Sequence, residues 1–198
     1  MAVRIERGEL PLSPSVREAV EALNVACFWD RGSEKVDFLE QRPGSTVWLA
    51  WDDDELVGLK WGATARPREH HSHHGMVAPS HRRQGIASAL MREQHAWAEA
   101  AGHRAVTTNT FHTFRPMLLL DLQHGFAVVG VIAHDGDCKL LLERPLGDVP
   151  WPPPAAIEGP GWVANGEALI AALRDGASIE GVVVADGGVS VRLTPRSA

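Results

Sequence analysis

Six consecutive residues, Arg82-Arg83-Gln84-Gly85-Ile86-Ala87, stand between an apolar strand end, Met76-Val77, and a segment rich in alanine and leucine. A loop that turns at a glycine and opens directly into a helix aims several unbonded backbone N–H groups at one point, together with the positive end of the helix dipole. Such a point attracts an anion, and the two arginines add fixed charge suited to phosphate. Gly85 lets the main chain approach the ligand closely, and the small Ala87 does not crowd it. These residues predict a pyrophosphate cradle, with an ordinary helix start as the alternative when the six are taken alone.

Just upstream, Glu69-His70-His71-Ser72-His73-His74-Gly75-Met76-Val77 places four histidines in five positions. In an extended strand His71 and His73 project to one face and His70 and His74 to the other, so a single ion could reach only two of them. A zinc site takes three or four ligands, and no cysteine or acidic cluster follows at ligand spacing, so no metal is expected. Imidazole has an ordinary pKa near 6.5 and can take a proton from an ammonium nucleophile, directly or through water. His71 and His73, on the face shared with Gly75 and Val77, are the candidates for that work. Exposed imidazoles at a polar strand start are the alternative.

The surrounding elements must hold these groups in place. Pro79 and Ser80 end the strand, a helix is expected over 85–101, and Gly102 stops it. A β-prone segment at 105–109 precedes an apolar helical block ending in Gly125-Phe126. Upstream, a helix over 13–24 has Ser13 or Ser15 as its cap and Val16, Val20 and Leu23 as its stripe. Residues 26–44 mix aromatics with charge around another short helix, and 46–51 with 55–65 form a hairpin about Asp52-Asp53-Asp54. Strands over 126–134 and 138–143 are joined at Asp135-Gly136-Asp137, a strong hairpin signal.

This order of pieces resembles the GNAT acyltransferase superfamily. Arg82-x-x-Gly85-x-Ala87 matches its acyl-CoA signature, and Met117, Asp121, Gly125 and Phe126 fall at the spacings of its next helix and closing Gly-Phe. The resemblance spans roughly residues 15–145 and is strongest over 76–126. It implies an α+β fold with a mixed, mostly antiparallel central sheet flanked by helices. It also implies acetyl-CoA or another acyl-CoA as cosubstrate, with no metal. Met76, Val77, Arg82, Arg83, Gln84, Gly85, Ile86, Ala87 and Ser88 would bind that cosubstrate, the backbone of Val77 or Met76 polarising the thioester carbonyl. Asn109 is a further candidate for the cosubstrate. Trp29, Glu34 and the hairpin residue Asp135 would wall the acceptor site, with an amphipathic helix covering the sheet as the alternative for the first two and a solvated turn for Asp135. The implied reaction is transfer to a primary amine of a small molecule by direct attack, with no covalent enzyme intermediate.

Two departures from the pattern matter. Many members protonate the departing thiolate with a tyrosine four residues before the closing glycine, yet this chain has no tyrosine and Asp121 stands at that position. A buried carboxylic acid with a raised pKa can donate a proton, while a carboxylate that bonds a neighbouring backbone group or simply faces water is the structural alternative for Asp121. A thiol of pKa near 8.5 can also leave without an acid. Phe114 stands where the family has an asparagine. The missing tyrosine keeps open an inactive acyl-CoA-binding regulatory or assembly module, and the histidines keep open a metal-binding protein.

A chain of 198 residues with 44% apolar content can bury a substantial core. Its formal charge of −6 argues against nucleic acid as a partner. Cys27 and Cys138 are the only cysteines, no apolar signal region follows a basic start, and no run of ~18 apolar residues occurs, so a cytoplasmic protein off the membrane is expected. The expected division is an acyltransferase domain over 1–145, a proline-rich linker over 146–162 and a small helix-plus-hairpin extension over 163–198. About 35 residues bury little core alone, so the extension is expected to pack on the main domain or on a second subunit of a homodimer.

Overall fold

The structure is a computed structural model that describes residues 3–134, 137–147, 162–164, 167–185 and 188–194. It is a mixed α+β fold with a mostly antiparallel seven-stranded sheet and a further three-stranded sheet. The chain divides into two compact units, Met1–Val106 and Thr107–Ala198.

In the first unit, strands β1 (Arg4–Gly8), β2 (Thr46–Asp52), β3 (Glu55–Arg66) and β4 (Glu69–Val77) lie in that order, each antiparallel to the next. Strands β2 and β3 are almost continuously apolar, as strands covered on both faces must be. Strand β1 was not expected, because Arg-Ile-Glu-Arg-Gly carries one apolar residue and no alternation. It is an edge strand, formed by backbone pairing of Arg4 to Gly8 with Trp51 to Val47.

Helix α1 (Pro14–Phe28) starts at the expected cap, where the Ser13 hydroxyl accepts from the Val16 N–H at 3.4 Å. It runs a turn further than the sequence suggested and ends at Trp29, which adopts the left-handed φ of 65°. Helix α2 (Ser33–Glu40) follows, tied to α1 by Arg17, whose Nη2 donates to Asp37 Oδ1 at 2.6 Å. Helix α3 (Ile86–Ala100) covers the face to which Gly58 and Gly62 point. A Cβ on Gly58 would come 3.1 Å from Ile86, and one on Gly62 would come 2.9 Å from the Gln94 amide. Those glycines let α3 lie close on the sheet. The opposite face is closed by α1 and α2, which bury Val20, Leu23, Val36 and Leu39 over Leu59 and Trp61.

Strand β5 (Ala105–Phe111) leads into the second unit, followed by α4 (Arg115–Gln123), β6 (Ala127–His134) and β7 (Asp137–Pro145), with β7 between β5 and β6. The C-terminal stretch holds β8 (Trp162–Ala164), α5 (Glu167–Arg174), β9 (Ser178–Ala185) and β10 (Gly188–Thr194), in the sheet order β8-β10-β9. Helix α5 packs on α4, and β9 and β10 meet β6. Leu169, Leu173 and Val191 are buried, as are Leu118, Phe126 and Leu140. Most of the expected linker, 148–161, lies outside the described residues. Among the described residues no helix is long and apolar enough to cross a membrane.

Candidate active site

Strand β4 ends at Val77, and a 3-10 turn over Pro79–His81 carries the chain to Arg82. Arg83 and Gly85 are both left-handed, with φ of 64° and 82°. Gly85 is the residue before α3, no side chain caps that helix, and its first intrahelical bond runs from the Ala89 N–H to the Gly85 carbonyl at 2.9 Å. The N–H groups of the first turn therefore point outward without an intrahelical acceptor. A Cβ built on Gly85 meets nothing within 4 Å, so the space beside Gly85 itself is open. Arg82, Arg83 and Gln84 are exposed around that space, Ala87 and Ser88 are half-buried, and buried Ile86 anchors the turn in the core. The Val77 carbonyl accepts from Arg82 Nε at 3.2 Å and from the Cys27 thiol at 3.5 Å, which ties the cradle and α1 to the strand end beside buried Met76.

The histidine strand does not alternate as expected. Trp61 pairs with His74 while Gly62 pairs with Ser72, so His73 is an extra residue in a β-bulge. His71 and His73 do lie together, with ring centroids 4.5 Å apart, and His73 meets Phe38 of α2 edge-on at 6.0 Å. After the bulge the phase reverses. His74 turns to the α1 side, where its ring lies 5.6 Å from that of Phe28, instead of facing away with His70. The same reversal corrects the expectation that Gly75 and Val77 share the His71 face. Val77 pairs with Gly58, whose open side is filled by α3. His70 alone of the four faces α3, wholly buried with its ring 5.1 Å from Trp97 and 5.6 Å from His103.

Burial keeps all four imidazoles neutral. It is the largest cause in each case, pushing His70 and His74 down to about 3 and His71 and His73 down to about 4. Arg42 and Lys35 add to the effect at His73, and Lys35 and Lys60 at His74. These rings offer lone pairs rather than charge at ordinary pH.

Between the end of α1 and the start of α2 lies a cavity of about 560 Å³, with Asn24, Phe28, Asp30, Glu34, Lys35 and His74 in its wall. Buried Glu21 fixes the connecting loop, accepting from Arg31 at 2.9 and 2.5 Å and from the Ser33 hydroxyl at 2.8 Å. Asn24 links loop and strand, bonding the Asp30 carbonyl at 2.7 Å and His74 Nε2 at 3.0 Å. Of the residues expected to wall an acceptor site, Glu34 lines this cavity, Trp29 projects from it at 93% exposure, and Asp135 lies outside the described residues. His74 and Asn24 were missed. No local signal marks a bulge within a histidine run, and their contact joins residues 50 apart.

In the second unit Asp121 is wholly buried, and its Oδ2 accepts from the Thr110 hydroxyl at 2.9 Å. The Phe126 N–H bonds the Asp121 carbonyl at 3.1 Å, so this residue ties α4 to β5 and to the turn after it. Asn109 is exposed on β5. Among the described residues no group of three or more His, Cys, Asp or Glu side chains is arranged to hold a metal ion.

The family profile described as Acetyltransferase (GNAT) family matches residues 16–126. No curated protein matches the chain in sequence. Among solved structures, an acetyltransferase from Bacillus subtilis in complex with CoA aligns with a TM-score of 0.60 at 20% identity, over 73% of this chain and 99% of that one. An aminoglycoside 6'-N-acetyltransferase from Enterococcus faecium aligns with a TM-score of 0.65 at 16% identity, over 74% and 99%. The ribosomal-protein-S18-alanine N-acetyltransferase from Escherichia coli gives 0.62 at 13% identity, over 75% and 97%. At such identities the likeness speaks for the fold.

Proposed function

The chain belongs to the GNAT acetyltransferase family, and on that premise we propose that it moves an acetyl or other acyl group from acyl-CoA to a primary amine of a small molecule. The observation that carries this reading is the uncapped start of α3. Left-handed Gly85, with open space beside it, precedes a helix start that no side chain caps and that two exposed arginines flank. That arrangement suits a pyrophosphate, and a solved neighbour of the same fold is described with CoA bound. Neighbours named for an aminoglycoside and for a protein alanine differ widely in acceptor size. The acceptor class therefore rests on this chain's own cavity.

In this reading Arg82, Arg83, Gln84, Gly85, Ile86, Ala87 and Ser88 hold the phosphates, and the main chain of Met76 or Val77 polarises the thioester carbonyl. The thioester supplies the electrophile, and the amine attacks it directly. Trp29 and Glu34 wall the acceptor, and Asn109 serves the cosubstrate. His71 and His73 accept hydrogen bonds near the strand end as neutral rings. The bond from the Thr110 hydroxyl supports a structural role for Asp121, tying α4 to β5. Release of the thiolate then proceeds without an acid. The proposed division keeps 163–198 as an extension with no chemical part, on a cytoplasmic protein.

Thiol release from acetyl-CoA across a panel of small amines, paired with calorimetry of acyl-CoA binding, tests the proposal. Amine-dependent release supports it. Tight binding with no release for any amine supports a non-catalytic acyl-CoA-binding module, which the absence of tyrosine favours. No binding removes both.

A further inference from the structure

We infer that His74 is the hydrogen-bond acceptor for the attacking amine and that Asn24 is its positioning residue. This rests on the acyltransferase reading and adds to it a group and an orientation. The logic begins at the Asp30 carbonyl, which can only accept. The Asn24 atom 2.7 Å from it must be the donating Nδ2, so Oδ1 is the atom that faces His74. Oδ1 can only accept in turn. The hydrogen between them therefore sits on His74 Nε2, at 3.0 Å, and the lone pair of the ring is on Nδ1.

Two further contacts hold this pair in place. Asn24 is 6% exposed, and Gly32 presses on its amide so closely that a Cβ there would lie 2.5 Å from Nδ2. The imidazole packs against Phe28 and lines the cavity between α1 and α2. Cys27, next to Phe28, bonds the Val77 carbonyl, so α1 spans from this cavity to the strand end assigned to the thioester. Burial, with Lys35 and Lys60 nearby, keeps the ring neutral. Nδ1 thus bears the lone pair of a neutral ring throughout the ordinary pH range.

The step balances as follows. The amine nitrogen forms an N–C bond to the thioester carbon, and the C–S bond breaks with its electron pair going to sulfur. The proton lost by nitrogen passes to His74 Nδ1 and from there to the thiolate, leaving amide and thiol. His74 carries it only transiently, since a ring so disfavoured as a cation passes the proton on to the thiolate at once.

Two replacements of His74 separate this role from a structural one. In His74→Gln the longer amide reaches the Nε2 position and preserves the Asn24 bond, whereas in His74→Asn the shorter one places an oxygen near Nδ1. A positioned acceptor predicts that kcat falls about tenfold or more in His74→Gln, with less loss in His74→Asn and an acyl-CoA KM within about twofold of wild type in both. Wild-type kcat in His74→Gln, or His74→Gln outperforming His74→Asn, overturns the role. Long-range proton–nitrogen NMR of the wild-type ring should show hydrogen on Nε2 and none on Nδ1, and the reverse overturns the positioning argument with no assay of turnover. Asn24→Leu should lower kcat and release the tautomer, and the His74 pair keeps the test intact if that variant does not fold. A wild type that transfers acyl groups to no amine sinks the acyltransferase reading and this role with it. Transfer at the wild-type kcat in His74→Gln sinks the role alone.

Discussion

The cradle can be tested by placing the same side chain at both ends of one helix. Gly85 precedes α3 with φ of 82°, and Gly102 follows it with φ of 78°. A Cβ at either position meets nothing within 4 Å. Alanine at either site should therefore impose the same penalty, about 1–2 kcal/mol for a left-handed L-residue, with no steric clash inside the protein. For a chain of this size that is a fall in Tm of about 2–8 °C. The strain is present with and without ligand, so it largely cancels from affinity. What differs is the space the methyl group enters, which at Gly85 is the space assigned to pyrophosphate and at Gly102 is plain solvent. Gly85→Ala should raise the acyl-CoA Kd about tenfold or more, equivalent to about 1.4 kcal/mol, while Gly102→Ala should leave it unchanged. Calorimetry reads Kd directly. Thermal unfolding with and without acyl-CoA gives a second reading, because ligand at about 100 times Kd stabilises by about 2.7 kcal/mol and Gly85→Ala should lose much of that gain. Equal affinities in the two variants, whether both intact or both impaired, would refute the assignment of the anion to the start of α3.

Arg83 is the one cradle residue besides Gly85 in the left-handed region, so Arg83→Gly should raise stability by up to about 1 kcal/mol while weakening acyl-CoA binding; a loss of both, seen in paired melting and titration curves, would contradict the charge-for-strain reading. Asp121→Asn should lower stability by about 1 kcal/mol through its Thr110 bond and leave turnover within about threefold, whereas a hundredfold turnover loss at unchanged Tm would make Asp121 the acid. His70 lies at about 3 when folded against 6.5 unfolded, so protons bind the unfolded chain first and stability, complete above about pH 6.5, is lost as pH falls toward 3. Each histidine so shifted steepens that loss by up to about 1.4 kcal/mol per pH unit, and His70→Phe should flatten the slope in urea titrations between pH 7 and 4.5; an unchanged slope counts against the burial argument.

What could be read from the chain was what is decided locally. The left-handed turn at Gly85, the cap at Ser13, the stop at Gly102 and the break at Pro79 each depend on one residue and its immediate neighbours. Asp121 lies on the same buried face of α4 as Leu118, three residues earlier, a relation that helix spacing sets locally. Strand β1 escaped notice because its place comes from hydrogen bonds to β2, which any sequence can make. The contact of Asn24 with His74 escaped because nothing near either residue announces a partner 50 positions away.

The bulge at His73 shows why the histidine strand was only partly legible. Side chains on a strand alternate, so one inserted residue moves every later side chain to the other face. In most strands that slip would replace an apolar inward residue by a polar one and be strongly disfavoured. Here positions 70, 71, 73 and 74 are all histidine, so either phase presents an imidazole to α1 and α2, and composition alone does not select between them. The selection comes from the partner strand and the helices. Gly62 opposite Ser72 leaves room for Gln94 of α3, and Trp61 opposite His74 fills the space under α1. A histidine at the cavity is thus a property of the sequence, whereas its being His74, with Asn24 on Nε2, is a property of the packed sheet.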